Sequence, residues 1–94
     1  KLSLVSQSLK SSGQVSDSLN KHPLELAIVR IYDADKNWLL NSRVTDRNGQ
    51  FRFLVVAGSY YVTCVKSGYQ PYASQPATIT RAGIITWDIN LNSV

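Results

Sequence analysis

Thr45-Asp46-Arg47-Asn48-Gly49-Gln50-Phe51-Arg52-Phe53 is a turn that runs straight into an alternating segment, and its reading decides the fold. Asp46 can accept a backbone hydrogen bond where the turn starts, and Asn48 and Gly49 tolerate the positive φ that reverses a chain. This is the signature of a hairpin. The residues that follow place Phe51, Phe53 and Val55 on one side of a strand and Arg52 on the other, because successive side chains alternate across a pleated backbone.

The same grammar extends in both directions. Short segments rich in Val, Ile, Tyr, Phe and Thr recur with Gly, Pro, Asn or Asp between them, the spacing of an all-β sandwich. The candidate strands are 13–17, 25–33, 38–45, 50–56, 59–66, 73–80 and 84–91, seven in all. No stretch sustains a helical period. Alternation assigns Ala27, Val29 and Ile31 to the core with Phe51, Phe53 and Val55, then Tyr60, Val62 and Cys64, then Trp87, Ile89 and Leu91. Arg30, Arg52, Thr63, Asp88 and Asn90 are expected in solvent or at a sheet edge. Ala57-Gly58-Ser59 and Lys66-Ser67-Gly68 mark further reversals. Pro71 and Pro76 lack the amide hydrogen of a central strand, so the segment between them is expected at an edge or in a loop.

Ninety-four residues are enough for one core and too few for two, and 44 % hydrophobic against 17 % charged residues describes a chain that folds. Residues 1–12, rich in serine, read as a linker or an extra edge strand, with the domain spanning 13–94. No apolar run approaches the roughly 18 to 20 residues of a membrane helix, so no membrane insertion is expected. The chain begins at Lys1 and not at Met, which reads as a piece cut from a longer protein. The net charge of +4 is spread singly over the chain, without the basic-aromatic interleaving of nucleic-acid binders, so no nucleic acid is expected as partner. A single cysteine, Cys64, cannot form an internal disulfide, and packing has to carry the stability.

Catalytic chemistry finds few candidates. His22, the one histidine, stands beside Pro23 in an expected loop, with no second imidazole to share acid-base or metal work. No serine sits in a nucleophile elbow, and Cys64 lies mid-strand as a buried, inert thiol. Asp33-Ala34-Asp35-Lys36-Asn37 copies the first half of a calcium loop, but Trp38 and Val44 stand where the glycine and the closing glutamate belong. A polar turn explains the same residues. No catalytic residue, cofactor or metal is expected. The remaining candidates are the aromatic residues Trp38, Tyr61, Tyr69 and Tyr72, read as turn or outward positions on which a sugar ring could stack; edge packing is the competing explanation.

The order Gly13-Gln14-Val15-Ser16-Asp17, Pro23-Leu24 to Ile31-Tyr32-Asp33, Thr45 to Phe53, Gly58-Ser59-Tyr60-Tyr61-Val62 and Lys66-Ser67-Gly68-Tyr69 resembles the carboxypeptidase regulatory-like family. Relatives of that family include transthyretin-like domains and the collagen-adhesin B-type repeats of bacterial surface proteins. The resemblance covers residues 13 to 91 and implies a seven-stranded Greek-key β-sandwich, transthyretin-like or immunoglobulin-like. The adhesin repeats imply a Lys-Asn isopeptide bond assisted by a buried acid, yet the matching position here is Cys64, and Val15 and Ser16 stand where the lysine is expected. The hydrolases among the transthyretin-like proteins imply several histidines, where this chain has His22 alone. The implied role is a non-catalytic accessory or spacer module of a secreted or cell-surface protein of bacterial type. Its location would be extracellular, on the cell surface or in the periplasm. Its partners would be neighbouring domains of the same polypeptide, with a polysaccharide or a surface protein as the further candidate. The alternative is a carbohydrate-binding or adhesive module.

Overall fold

A computed structural model describes residues 11–94; the linker or extra strand expected over 1–12 falls outside those residues, apart from Ser11 and Ser12. Ten strands are formed among the described residues: β1 (Gly13–Asp17), β2 (Ile28–Asp33), β3 (Trp38–Val44), β4 (Gln50–Phe51), β5 (Leu54–Val55), β6 (Gly58–Val65), β7 (Tyr72–Ala73), β8 (Ala77–Ile79), β9 (Gly83–Ile84) and β10 (Asp88–Leu91). No helix occurs among the described residues. The count exceeds seven because three of the expected strands are each broken once, into β4 and β5, β7 and β8, and β9 and β10.

One layer has the order β3-β2-β6-β7, with β8 pairing the other end of β6. It is antiparallel throughout, with Val29 opposite Arg43 on one side and opposite Cys64 on the other. The second layer has β1 between β10, which runs parallel to it, and β4, which runs antiparallel. Ahead of Gly13, β5 and β9 pair directly, and Ile85 N–H donates to the Phe53 carbonyl at 2.9 Å. The first strand is thus inserted like a wedge between two strands that meet beyond it. That insertion breaks both of them, at Arg52–Phe53 and at Ile85–Trp87.

Between the layers lies one core. Val15, Ala27, Val29, Ile31, Phe51, Phe53, Tyr60, Val62, Cys64, Ile89 and Leu91 are buried there, and alternation along the sequence identifies all of these except Val15. Leu24 and Ile85 join them. Val55 and Trp87, expected inside, keep the alternation of Phe51 and Phe53 and of Ile85 and Ile89 but are only half-buried, packed against the core from its margin. Thr45 is a buried polar residue that ties two backbone segments together. Its hydroxyl donates to the Leu24 carbonyl at 2.7 Å and accepts Ala27 N–H at 2.9 Å. Leu26 takes a positive φ of 63° between them, so β2 starts at Ile28 and not at Glu25.

The turn at 45–49 is closed as its residues dictate. Asp46 Oδ1 accepts the N–H groups of Asn48 and Gln50, each at 2.9 Å, and Gly49 has φ 72°. It does not make a hairpin. Its flanking strands go to different layers, β3 to β2 and β4 to β1, and Val15 N–H donates to the Gly49 carbonyl at 2.8 Å. Turn chemistry fixes a reversal of direction, whereas the partner of the returning strand is chosen by β1.

Candidate functional site

The four aromatic candidates occupy separate places. Trp38 opens β3 opposite Asp33, which is in turn opposite the buried Tyr60, so it shares the core-side face, but β3 is the edge strand with every residue exposed and Trp38 stays 60 % exposed. Lys36 Nζ sits 4.8 Å from the centre of its ring. Tyr61 is on the other face of the same sheet, stacked on Tyr32 with ring centroids 4.8 Å apart and planes within 5°. Its hydroxyl donates to Asn37 Oδ1 in the turn before Trp38.

Tyr72 pairs with Cys64 and therefore faces inward, half-buried, where a turn or outward position was expected. With Trp87, Val62 and Ile89 it lines a cleft of about 100 Å³. Tyr69 is at the far end, its hydroxyl donating to Asp17 Oδ2 at 2.8 Å. The structure thus brings Trp38 and Tyr61 to the two sides of one turn and separates both from Tyr69 and Tyr72. The four rings therefore do not share one continuous surface.

Three titratable groups, Asp17, Tyr69 and Cys64, are engaged in the fold. Asp17 has its carboxyl held below the usual range first by the Tyr69 hydroxyl, then by the N–H groups of Leu19 and Asn20, and the same contact raises Tyr69. Burial pushes the Cys64 thiol up to about 11, which keeps it neutral and unreactive. The calcium-like run closes on itself: Asp33 Oδ1 accepts the N–H groups of Asp35 and Lys36 at 2.9 and 3.0 Å. Among the described residues no group of three or more His, Cys, Asp or Glu is placed to hold a metal ion, and no buried side-chain nitrogen or oxygen lacks a partner. His22 is exposed in the loop after β1, with its carbonyl accepting Asp17 N–H at 2.9 Å.

The model of the carboxypeptidase regulatory-like domain matches residues 12–92. The chain belongs to that family. Its members are small non-catalytic β-sandwich modules, typically parts of larger proteins, and the two-layer fold with β1 at the centre of one layer agrees with that membership. No curated protein matches the chain. Within this regulatory-like domain, sequence reasoning missed the Asp17–Tyr69 tie. The two residues are 52 positions apart, and only the expectation that a buried carboxylate needs donors could have prompted a search for its partner.

Proposed function

We propose that this regulatory-like module is a non-catalytic spacer of a secreted or cell-surface protein, one that holds its neighbours apart along a line. The observation that supports this reading is the parallel pairing of β1 with β10, Gln14 opposite Asp88 and Asp17 opposite Leu91. A chain that enters beside Asp88 leaves beside Asp17, at the opposite end of the sandwich. The exit is fastened there: Gln70 N–H donates to the Asn92 carbonyl at 2.8 Å, and Val94 N–H to the Gly68 carbonyl at 3.1 Å. Entry and exit at opposite ends let modules follow one another in series, each adding about 25 Å, the length of its longest strand at ~3.3 Å per residue.

Two copies joined in series and measured by small-angle scattering test this. The expected result is a maximum dimension larger than that of one copy by about a strand length. A pair that folds back side by side, with little increase, overturns it. A second reading, glycan binding, is favoured only by the exposed Trp38 ring with Asn37 and Lys36 beside it. Titration with a glycan panel decides it: affinity lost in Trp38→Ala at unchanged melting temperature supports it, and no affinity in the parent chain removes it.

A further inference from the structure

β3 is the edge of its layer, paired with β2 on one side and with no strand on the other among the described residues. All seven of its residues are exposed, and Trp38, Leu39, Leu40 and Val44 leave 60, 53, 48 and 56 % of their surface in water. A long edge without proline that carries four apolar side chains is a template for pairing with another chain. It is also self-complementary. An antiparallel second copy centred on Asn41 sets Trp38 against Val44, Lys36 against Asp46 and Asp35 against Arg47, an apolar pair flanked by opposite charges.

The edge is closed from within. Thr45 N–H donates to the Ala27 carbonyl at 2.9 Å, so by the alternation of an antiparallel ladder the peptide groups of Asn41 and Arg43 turn toward β2 and those of Ser42 and Val44 turn away. Ser42 therefore presents an outward peptide group near the middle of the edge, and both its polar atoms are taken. Its N–H donates to Asn41 Oδ1 at 2.8 Å, and its carbonyl accepts from Arg43 Nη1 at 3.0 Å. The same Nη1 donates to Asn41 Oδ1 at 2.8 Å, which locks the two side chains together. The guanidinium lies over the Phe53 ring, 5.6 Å from its centre, so the second layer steadies it. The register with β2 also slips here, from Ile31 opposite Asn41 to Tyr32 opposite Leu39, which makes Leu40 a bulged residue.

We propose that Asn41 and Arg43 form a guard that keeps the β3 edge from pairing with a second copy of this chain. A strand that approaches the edge must break the Ser42 contacts before it gains any of its own, and the bulge spoils the register just upstream. The guard has most to do wherever two copies are held close together, since a short tether raises the local concentration to the millimolar range.

The test is sedimentation velocity over a range of concentrations on three chains: the parent, Asn41→Val with Arg43→Val, and that double variant with Ser42→Pro added. The valines keep strand propensity and remove the guard. The proline re-blocks the edge at a position whose N–H makes no ladder bond. The expected pattern is a monomeric parent, a concentration-dependent dimer for the double variant and a monomer again with the proline. A folded double variant that stays monomeric overturns the proposal, as does a dimer that the proline leaves intact or a parent that already dimerises. Should the double variant fail to fold, amide exchange in the parent decides: Ser42 is expected to exchange at least about tenfold more slowly than Val44, the other outward amide, and equal rates overturn the guard.

Discussion

Asp17 ends β1 and turns the chain at one stroke. Its Oδ1 accepts the N–H groups of Leu19 and Asn20 at 2.8 and 3.1 Å, while Oδ2 accepts the Tyr69 hydroxyl at 2.8 Å from the loop after β6. All three are donors to the ionised carboxylate, so its pKa falls on folding, and the carboxylate next to Tyr69 raises the phenol. The signs follow from linkage. A depressed Asp17 contributes stability above its unfolded pKa and loses it as pH falls through the folded value; a raised Tyr69 contributes below its unfolded pKa and loses it as pH rises through its folded value. Tyr69→Phe is therefore expected to melt below the parent at neutral pH. The gap should narrow once the pH drops below about 4, the ordinary Asp range, and again above about 10, the ordinary Tyr range. Melting curves across that span check it, and a gap independent of pH would mean that Tyr69 acts through ring packing alone.

At the scale of elements, the 45–49 turn links the two layers and depends on Gly49. That residue has φ 72°, and a Cβ there would land on the Val15 carbonyl oxygen and lie 3.0 Å from Leu24 N. Gly68 also has a positive φ, 89°, but a Cβ added there meets nothing within 4 Å. Gly68→Ala is expected to cost about 1 kcal/mol, the left-handed penalty alone. Gly49→Ala carries the same penalty plus displacement of β1, and more than about 2 kcal/mol is expected. Urea unfolding of the two variants separates the terms, and equal losses would show that β1 yields without resistance. The triplets Ala27-Val29-Ile31 and Tyr60-Val62-Cys64 were legible because each belongs to an unbroken strand. The hairpin was misread because β1 takes β4 as its partner, and no local pattern announces a strand arriving from 36 to 38 residues away; Val55 and Trp87 lie on the core side as the alternation implied, but at its margin. The aromatic candidates could be picked out by type, but the face each occupies is set by register, as Tyr72 opposite Cys64 illustrates. The Asn41–Arg43 guard was illegible, since two polar residues in a strand acquire meaning only once that strand is known to be an edge.

At the scale of the whole molecule, stability rests on one core that no disulfide reinforces, and Cys64 is at its centre. It lies in β6, which is paired with β2 on one side and with β7 and β8 on the other, and it has no exposed surface. Reaching its sulfur means opening the sandwich, because β6 cannot be exposed while both neighbouring ladders hold. With its pKa pushed up to about 11, the native thiol is also far less ionised at neutral pH than a free one. Modification by a thiol reagent should therefore proceed through opened molecules, at a rate set by the unfolding equilibrium when closing outpaces chemistry. Labelling in native buffer is expected to be slow, to rise with urea along the same slope as global unfolding, and to be accelerated in Gly49→Ala by the factor that its loss of stability dictates. Fast labelling that ignores urea and the Gly49 substitution would place a local opening at β7 or β8, and the two layers would then not unfold as one unit.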